Sequence, residues 1–599
     1  MTQAQIIKKK LPDFEWPPAP TSGEGRKVLF INPPSLPYTH VVKALADIST
    51  DLYQATALPM GLLYLSVVLE QTLPGIEIRI VDLAKVIVDY TANHQRTEMT
   101  LEEFTAMVLE QQVPADFIPD FVGISILFST AHKSSCQIAT ATKKRWAASP
   151  IIVGGMHASN AIEALLEMPV IDYVCRGEAE GVITKFAEAV NSRTDCETIQ
   201  GIYGRKKVSA MIAAGEKLKE SAPLIYDLDL IPYPAWHLLP MESYLTGKFS
   251  RASKIGATEQ GREVTIVTTR GCPFHCTFCA SWTVHGREMR YRSNENIIKE
   301  MEILHEKYSV TDIIPEDDLF TVKKPRILSL CDSIEKRFGH SLQFHSTAGL
   351  CVMTIDEDVI KALVKIGMRI ATIAVESGSE YVQKHIIKKN CDLDRARKVV
   401  QISRDHCEFV RVYFIVGFPG ETREQMMETF SYSASLSSDW NVYMVAAPLI
   451  GTEMYEQLLE RGYIDESFNW DEAFFRERNF DTDEISAEEL KNIAYEANIL
   501  NNFFNNYNLR IGDYSRAITM YNYILADYPQ HIAAHYCSAI AYKKMGKTKE
   551  YEDTLKLCVD LLSAKEETMA HGIYKKFSEL FTDLNEIPKI RELFGYTDV

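Results

Sequence analysis

The stretch VTIVTTRGCPFHCTFC, from Val264 to Cys279, joins an apolar β-branched run to three closely spaced cysteines. The apolar run predicts a buried strand, and Cys272, Cys276 and Cys279 follow it with the spacing C-x3-C-x2-C. Three thiolates in one loop can bind three irons of a 4Fe–4S cluster, which leaves the fourth iron open to another ligand. A structural zinc site would require a fourth ligand, for which the loop offers His275. Three core cysteines at chance spacing are the plainest alternative.

With the aromatic Phe278 before its last cysteine, this loop resembles that of the radical S-adenosylmethionine (SAM) superfamily. The resemblance implies that Cys272, Cys276 and Cys279 bind the cluster, and that its open iron chelates the amino and carboxylate groups of SAM. One electron from the cluster would then cleave the sulfonium and release a 5′-deoxyadenosyl radical.

The composition limits the functions that the chain can have. Its 599 residues predict three or four domains, and a composition of 46% hydrophobic and 24% charged residues allows large cores. The formal net charge of -17 argues against binding to a nucleic-acid backbone, which requires a basic face. No apolar run reaches the length of a membrane span, and the polar stretch from Met1 to Lys10 lacks the apolar core of a secretory signal. We therefore expect a cytoplasmic protein whose 12 cysteines are reduced thiols.

Residues 25–200 alternate predicted strands and helices after a loose leader over residues 1–24, which indicates an α/β domain with a doubly wound, Rossmann-like parallel sheet. Ligands of such sheets bind outside the carboxyl ends of the strands. The sequence places small and polar groups at those ends, and we expect them to line a pocket. These candidate residues are Ser125, Leu127, Gly154, Gly155, His157, Gly177 and Glu178.

The phrases VGIS (Val122–Ser125), GGMH (Gly154–His157) and RGEAE (Arg176–Glu180) resemble the cobalamin-binding domain that is fused to many radical SAM enzymes. The match covers most of the domain and implies that the pocket binds cobalamin. The chain lacks the motif D-x-H-x-x-G, through which other cobalamin proteins ligate the cobalt. The resemblance thus implies cobalamin without a protein imidazole below the metal, and His157 as pocket lining. The alternative is a flavodoxin-like scaffold that has lost its ligand.

Residues 201–254 are predicted to form a linker, in which Ile225 to Pro240 is proline-rich and extended and Ile202 to Ala210 is expected to form a small hairpin. Residues 255–450 then contain six strand-like runs that are separated by helical sequence. Six β/α units fit the (β/α)6 partial TIM barrel of the radical SAM fold, not a closed barrel of eight. The predicted strands are Val264–Thr268, Asp312–Pro315, Leu342–Ser346, Ile370–Glu376, Val410–Val416 and Val442–Ala446.

Polar residues follow these strands at the end where barrel enzymes place their catalytic groups. Glu376 and Ser377 resemble the family phrase I-E-S-G-S, which implies contact with the ribose or methionine part of SAM. Glu316 opens a Pro-Glu-Asp-Asp phrase where many members have G-G-E, and it resembles the D-D version of the cobalamin branch. That departure leaves the partner of the SAM ammonium open.

Arg290 and Arg292 belong to a stretch that resembles the family phrase R-x-R-S-x-E. The resemblance implies that the arginines contact the SAM carboxylate or a cobalamin amide. Ser293, which follows them, is predicted to be the N-cap of a helix.

Residues 451–599 predict a helical C-terminal domain, an all-α cap. An acidic and aromatic segment over residues 465–484 is expected to form a loop or lid. Gly512 and Gly546 lie 34 residues apart, which is the period of tetratricopeptide repeats, so we expect a short repeat-like region around 486–565.

Together, the two resemblances imply a cobalamin-dependent radical SAM methyltransferase. It would place a methyl group from methylcobalamin on an unactivated carbon of a peptide or natural-product substrate, with a flavodoxin or ferredoxin as electron donor. One alternative is cyclisation or oxidation with the same cofactors, and another is methyl transfer without a radical. An alternative of a different class is a non-catalytic tetratricopeptide scaffold with a relic cluster.

Overall fold

The computed structural model describes residues 26–41, 58–94, 99–245, 261–346, 349–465, 467–472, 477–564 and 566–594. The predicted leader over residues 1–24 and residues 246–254 of the predicted linker lie outside the described residues. Among the helices of the described part, none has the length and apolar character that crossing a membrane requires.

The first domain contains a six-stranded sheet. Its strands are β1 (Lys27–Asn32), β2 (Glu77–Asp82), β3 (Phe121–Ser125), β4 (Ile151–Gly154), β5 (Tyr173–Cys175) and β6 (Ile202–Gly204). They lie in the order β2-β1-β3-β4-β5-β6, and the first five are parallel. Leu29 and Ile31 of β1 enter the core on one face, whereas Val28 and Phe30 enter the core on the other. The predicted doubly wound sheet is therefore confirmed.

Helices cover both faces of this sheet. They are α1 (Met60–Thr72), α2 (Leu83–His94), α3 (Leu101–Gln112), α4 (His132–Arg145), α5 (Met156–Asn160), α6 (Ile162–Leu166), α7 (Ile183–Ser192) and α8 (Arg205–Ala213). Local sequence sets their starts: at α3, Thr100 accepts from the Glu103 amide at 3.3 Å, while the Glu103 carboxylate accepts from the Thr100 amide at 2.8 Å.

The hairpin predicted over residues 202–210 is wrong. Residues Ile202–Gly204 form β6, which pairs antiparallel with β5, and α8 follows at once. The polar lysines that suggested a surface hairpin lie on this helix. The sheet of the first domain thus extends into the region that was predicted as linker, and a short helix α9 (Met241–Leu245) precedes the barrel.

The second domain is a partial barrel of parallel strands. The strands from this region are β7 (Glu263–Ile266), β8 (Thr269–Arg270), β9 (Arg290–Tyr291), β10 (Asp312–Pro315), β11 (Gln343–Phe344), β12 (Leu350–Cys351), β13 (Ile370–Glu376), β14 (Phe409–Val416) and β15 (Trp440–Val445). They form the sheets β11-β10-β7 and β12-β13-β14-β15. The short strands β8 and β9 pair antiparallel beside the barrel. The partial barrel is confirmed. Its third predicted strand is shortened to β11, and β12 is a further short strand that was not predicted.

Helices alternate with these strands along the chain, and the shortest of them, α10, lies in the cysteine loop. They are α10 (Trp282–His285), α11 (Asn294–Tyr308), α12 (Lys324–Phe338), α13 (Glu357–Lys365), α14 (Leu393–His406), α15 (Arg423–Ser435) and α16 (Glu453–Glu460). The hydroxyl of Ser293 accepts a hydrogen bond from the Asn296 amide at 3.1 Å, which confirms Ser293 as the N-cap of α11.

The C-terminal region is helical. Its helices are α17 (Ala487–Ile499), α18 (Tyr507–Ile511), α19 (Tyr514–Asp527), α20 (Ile532–Lys544), α21 (Thr548–Leu562), α22 (Met569–Lys576), α23 (Thr582–Asn585) and α24 (Pro588–Phe594). The buried carboxylate of Asp439, at the amino end of β15, accepts from Arg516 at 2.6 Å and from Asn508 at 2.9 Å. This anchor places α18 and α19 at the amino ends of the strands, away from the barrel mouth. The assignment of tetratricopeptide repeats stays a prediction.

Candidate active site

A cavity of about 410 Å³ lies between the first sheet and the mouth of the barrel. Its walls come from the carboxyl ends of β1, β3, β4 and β5 on one side, and from β7, β8 and the loop after β10 on the other. Because ligands bind at these ends in both kinds of sheet, the two domains face each other with their binding edges. The predicted site residues on its wall are Ser125, Leu127, Gly154, Gly155, Gly177, Glu178 and Glu316.

The wall from the first domain suits a broad apolar ligand. Leu127 and Phe128 lie there with 52% and 40% of their surfaces exposed, although large apolar side chains are normally buried. Gly155 has a φ of 109°, and a Cβ at this position would lie 2.6 Å from the Ile126 carbonyl oxygen. Only glycine is therefore compatible with position 155, where the chain after β4 approaches the backbone that follows β3.

Glu178 is at the centre of the contact between the two domains. Its carboxylate oxygens lie 2.5 and 2.8 Å from the two terminal nitrogens of Arg290, 2.7 Å from Nδ1 of His285 and 3.2 Å from Arg270. Burial opposes the charge on this carboxyl, but the hydrogen bonds from Arg290 and His285 hold its pKa well below the usual range. The first domain is thus locked to the barrel beside the cavity.

The remaining buried ion pairs extend this lock to the cysteine loop. Arg270 donates to Glu180 at 2.6 Å and directly precedes the loop. Arg292 pairs at 2.5 Å with Glu300 of α11, and both side chains are buried. The structure thus engages Arg290 and Arg292 in buried ion pairs beside the cavity and not on its wall, so their contact with SAM or cobalamin stays a prediction.

His157 does not line the cavity, contrary to the prediction. It is 2% exposed, with its Nε2 2.8 Å from Nδ1 of His132 and its Nδ1 3.1 Å from the Ser129 hydroxyl. Trp470 packs edge-on against both rings, with centroids 5.2 and 4.5 Å away. Burial lowers the pKa of His132 to about 4 and that of His157 well below its usual value. Two neutral histidines therefore hold the predicted loop or lid segment against the first domain.

The predicted cluster loop spans the turn between β8 and β9, whose pairing closes its two ends. In its middle, the amide and hydroxyl of Thr277 donate to the carbonyls of Ile387 and Ile386 at 3.0 and 2.9 Å. Phe278 packs on Phe418 with ring centroids 5.7 Å apart. Gly271 opens the loop with a φ of 90°, where a Cβ would lie 2.2 Å from the Glu288 carbonyl oxygen.

The three cysteines of this loop differ from the others in the chain. Cys272, Cys276 and Cys279 are partly exposed, whereas every other cysteine is buried. Burial, together with the neighbouring thiols of Cys279 and Cys272, raises the pKa of Cys276 to about 12. The three thiols are therefore neighbours. Within the described residues, no three acidic, histidine or cysteine side chains surround one point as ligands of a single metal ion. A 4Fe–4S cluster takes its ligands on separate irons, so three adjacent, accessible thiols fit it.

The three consecutive acidic residues Glu316, Asp317 and Asp318 each make different contacts. Glu316 lies on the cavity wall. The Asp317 carboxylate accepts from the amides of Thr268 and Thr269, at 2.6 and 3.1 Å, and so fixes the end of β7. Asp318 accepts from the Gly271 amide at 3.0 Å and from the Ser281 hydroxyl. The third carboxylate therefore orients both ends of the cysteine loop.

Glu376 and Ser377 lie at the end of β13, beside the cysteine loop and not on the wall of the large cavity. The Ser377 hydroxyl is 3.1 Å from that of Thr429, and Glu376 accepts from Lys389 at 2.7 Å. Glu376 and Lys389 both influence the pKa of Cys276. The structure therefore brings Glu376 to the predicted cluster, and its contact with SAM stays a prediction.

The sequence analysis missed three charged residues of this region. Asp318 belongs to the Pro-Glu-Asp-Asp phrase but received no role, because its proximity to Gly271 required the barrel to close. Arg270 lies between the predicted strand and the cysteine loop. A charged residue directly before a predicted cluster loop could have been singled out from the sequence. Lys389 follows Glu376 by 13 residues and belongs to no motif, so only the fold could bring the two together.

Comparisons with known proteins agree with this geometry. Residues 266–432 match the family model of the radical SAM superfamily, and residues 52–187 match that of the B12 binding domain. Cytidylyl-2-hydroxyethylphosphonate methyltransferase of Streptomyces wedmorensis is 27% identical over 471 residues, which are 74% of this chain and 84% of that protein. The uncharacterized methyltransferase PH0819 of Pyrococcus horikoshii is 30% identical over 355 residues, 59% of this chain and 72% of that protein.

Two solved structures share the fold. The cobalamin-dependent S-adenosylmethionine radical enzyme OxsB, with aqua-cobalamin and S-adenosylmethionine bound, has a TM-score of 0.58 and 14% identity, and the match covers 96% of this chain and 84% of that one. The radical S-adenosylmethionine methyltransferase TsrM from Kitasatospora setae, with cobalamin and a [4Fe-4S] cluster bound, has a TM-score of 0.54 and 17% identity, with 73% and 78% covered.

Proposed function

Because this chain belongs to the cobalamin-dependent radical SAM methyltransferase family, we propose that it methylates an unactivated carbon of a natural-product or peptide substrate. The observation that carries the proposal is the shared cavity, which the binding edges of both domains enclose beside the cysteine loop. Relatives support a small natural product, because their names describe methylation of a nucleotide phosphonate and a hopanoid. We further infer that a flavodoxin or ferredoxin supplies electrons.

The residues of the chain divide the work of binding. Cys272, Cys276 and Cys279 would hold the cluster, and the edge with Leu127 and Gly155 would hold cobalamin. When bound, the cluster and SAM supply a radical that removes hydrogen from carbon, and cobalamin supplies the methyl group. The protein positions these groups and excludes water.

Three features of the chain maintain that arrangement. Asp318 accepts from the Gly271 amide and thereby fixes the direction of the cysteine loop. The Glu178–Arg290 pair holds the two binding edges together, because its charges are buried and bonded on both sides of the interface. Leu127 and Phe128 give the cavity an apolar wall that disfavours water.

The experiment is an anaerobic assay of the reconstituted full chain with methyl-labelled SAM, a reductant and a panel of natural-product and peptide substrates. The proposal predicts a product heavier by one methyl group, with 5′-deoxyadenosine and S-adenosylhomocysteine formed beside it. The matched control is Cys276→Ala, which should form none of the three. A wild-type protein that binds neither SAM nor a corrinoid would refute the proposal and favour the non-catalytic scaffold.

The same assay distinguishes radical methylation from cyclisation, from oxidation and from methyl transfer without a radical. Cyclisation is supported by the anaerobic magnesium-protoporphyrin IX monomethyl ester cyclase of Rubrivivax gelatinosus, which is 24% identical over 348 residues. A cyclase or oxidase would form deoxyadenosine without adding a methyl group to the product. Methyl transfer without a radical would add the methyl group without forming deoxyadenosine.

A further inference from the structure

We propose that Arg411, inside the barrel, binds an oxyanion of the substrate, a carboxylate or a phosphonate. The inference deepens the proposed function and rests on it for the presence of a substrate. It narrows the substrate class to molecules that carry an oxyanion on an apolar part, with the reacting carbon several bonds away from the charge.

The first observation is the exposure of β14 toward the barrel interior. Successive side chains of a strand point to opposite faces. The outward-facing Val410 and Phe414 pack in the apolar core of the barrel and are 0% exposed. The inward-facing Arg411, Tyr413 and Ile415 are partly exposed. The interior beside β14 is therefore open.

The neighbouring strand β15 repeats the pattern, and the opposite half of the barrel does not. Val442 and Met444, which pair with Tyr413 and Ile415 of β14, are also partly exposed. On the other side, Ile314 of β10 is 0% exposed and Thr265 of β7 is 8% exposed. Side chains normally fill the interior of such barrels. The open half thus offers apolar walls to a ligand.

The second observation is the unpaired cation in this open half. Arg411 donates from Nη2 to the Thr372 hydroxyl at 3.0 Å, and its guanidinium lies 5.4 Å from the centre of the Tyr413 ring. Within the described residues, its Nε is buried without a hydrogen-bond partner, and no carboxylate lies within 4 Å of the guanidinium. Trp440 pairs with Arg411 in the register of β15 and packs on Phe503, so the C-terminal region covers this end.

The acid beside Arg411 in the strand register is already neutralised. Asp439 directly precedes Trp440, and its carboxylate pairs with Arg404 at 3.1 Å and with Arg516 at 2.6 Å. Burying part of a cation without an anion is unfavourable. An oxyanion that arrives with a ligand would satisfy Arg411, because a guanidinium can bind two oxygens of a carboxylate or phosphonate at once.

The third observation is the distance from Arg411 to the cysteine loop. Thr372 and Ala374 pair with Arg411 and Tyr413, and they precede Glu376 on β13 by four and two residues. At about 3.3 Å per residue, Arg411 starts roughly 13 Å below Glu376, which lies beside the cysteines. A ligand whose anion is bound by Arg411 would therefore extend along the apolar walls before its reacting carbon reaches the cysteine loop.

The test uses phenylphosphonate and benzoate as anionic probes and benzamide as their uncharged counterpart. Each is added at about 10 mM to the reconstituted full chain, and the melting temperature is measured by calorimetry. A probe that binds with a Kd of about 1 mM should raise the wild-type melting temperature by about 3–6 °C. At least one anion should do so, and benzamide should not. Arg411→Met should abolish the shift, and Arg411→Lys should retain part of it.

The matched control is Arg423→Met, which removes an exposed arginine from α15 and should keep the whole shift. Without a probe, Arg411→Met should melt no lower than the wild type, because it removes a cation that has no anion. An arginine that only stabilises the fold would lower the melting temperature when replaced. No shift with either anion, an equal shift in Arg411→Met, or a lower melting temperature of this variant without a probe would overturn the inference.

Probe binding requires no turnover, so its result is independent of whether methyl transfer is found. The methylation assay adds a second comparison, between acids of the substrate panel and their methyl esters. The wild type should methylate the acid and not the ester. Equal methylation of both would refute the role of Arg411 while leaving the proposed methyl transfer intact.

Discussion

Replacing Glu178 with glutamine should uncouple the first domain from the barrel. The wild-type carboxylate bonds to Arg290 at 2.5 and 2.8 Å and lies 3.2 Å from Arg270 and 2.7 Å from His285, all in a buried interface. A neutral amide leaves the buried guanidinium of Arg290 without its anion, whereas Arg270 keeps Glu180 as a partner. Breaking such a pair costs about 3–5 kcal/mol. At roughly 2–4 °C per kcal/mol, which holds for domains of this size, the melting temperature should fall by about 6–20 °C.

Differential scanning calorimetry should measure this change, with hydrogen–deuterium exchange to locate it. Faster exchange is expected in peptides that contain residues 176–180 and 285–291, because these segments form the two sides of the contact. Corrinoid affinity should also fall, since Glu178 lies on the cavity wall. Glu188→Gln is the control, because Glu188 is exposed on α7 of the same domain.

A double variant tests the cause. Glu178→Gln/Arg290→Met removes the cation that the single variant leaves unpaired, so it should be more stable than Glu178→Gln alone. If Glu178→Gln melts within about 1 °C of Glu188→Gln with unchanged exchange, the buried network does not couple the domains and the reasoning fails.

Three further predictions concern other parts of the chain. Leu127→Glu should weaken corrinoid binding at least tenfold in a spectroscopic titration, without lowering the melting temperature. The control Leu593→Glu, at an equally exposed position on α24, should change neither the corrinoid affinity nor the melting temperature. Equal effects of the two variants on corrinoid affinity would contradict the assigned cavity wall. Burial raises the pKa of Glu421 to about 8, so the folded state keeps its proton while the unfolded chain ionises near pH 4.5. As the pH rises between these two values, this group should therefore lower the free energy of unfolding of the wild type by up to about 1.4 kcal/mol per pH unit. The melting temperature of Glu421→Gln should depend less on pH from pH 5 to 8. Parallel pH profiles of the wild type and the variant would exclude the raised pKa. Asp439→Asn should weaken the attachment of the helical tail, because Asp439 pairs with Arg516 and Arg404. Limited proteolysis should then cleave faster after residue 480, with cofactor binding unchanged. A cleavage rate equal to that of the wild type would refute the role of Asp439 as an anchor.

Sequence periodicity was sufficient to predict strands whose formation depends on local sequence alone. The runs Asp312–Pro315 and Ile370–Glu376 were predicted with the bounds that the structure has. These strands are apolar runs with turn or helical sequence on both sides, and a buried parallel strand requires little else. The predicted pocket residues of the first sheet, apart from His157, lie on the cavity because the carboxyl ends of parallel strands converge there.

Prediction failed where a residue's partner lies far along the chain. Ile202–Gly204 looked like half of a local hairpin, but its backbone pairs with Tyr173–Cys175 in the existing sheet. His157 belongs to a motif of the pocket, yet packing against Trp470 from the C-terminal region turns it into a buried brace. Local pattern contains no information about such a partner.

The sequence by itself determined the three-cysteine loop, the two α/β domains and the faces on which their ligands should bind, because spacing and periodicity are properties of neighbouring residues. Only the tertiary structure decided that Arg290 pairs with Glu178, 112 residues away, and that Lys389 pairs with Glu376 beside the cysteines. Charges choose partners by distance and burial in the folded chain, and neither quantity is defined until the domains have closed on each other.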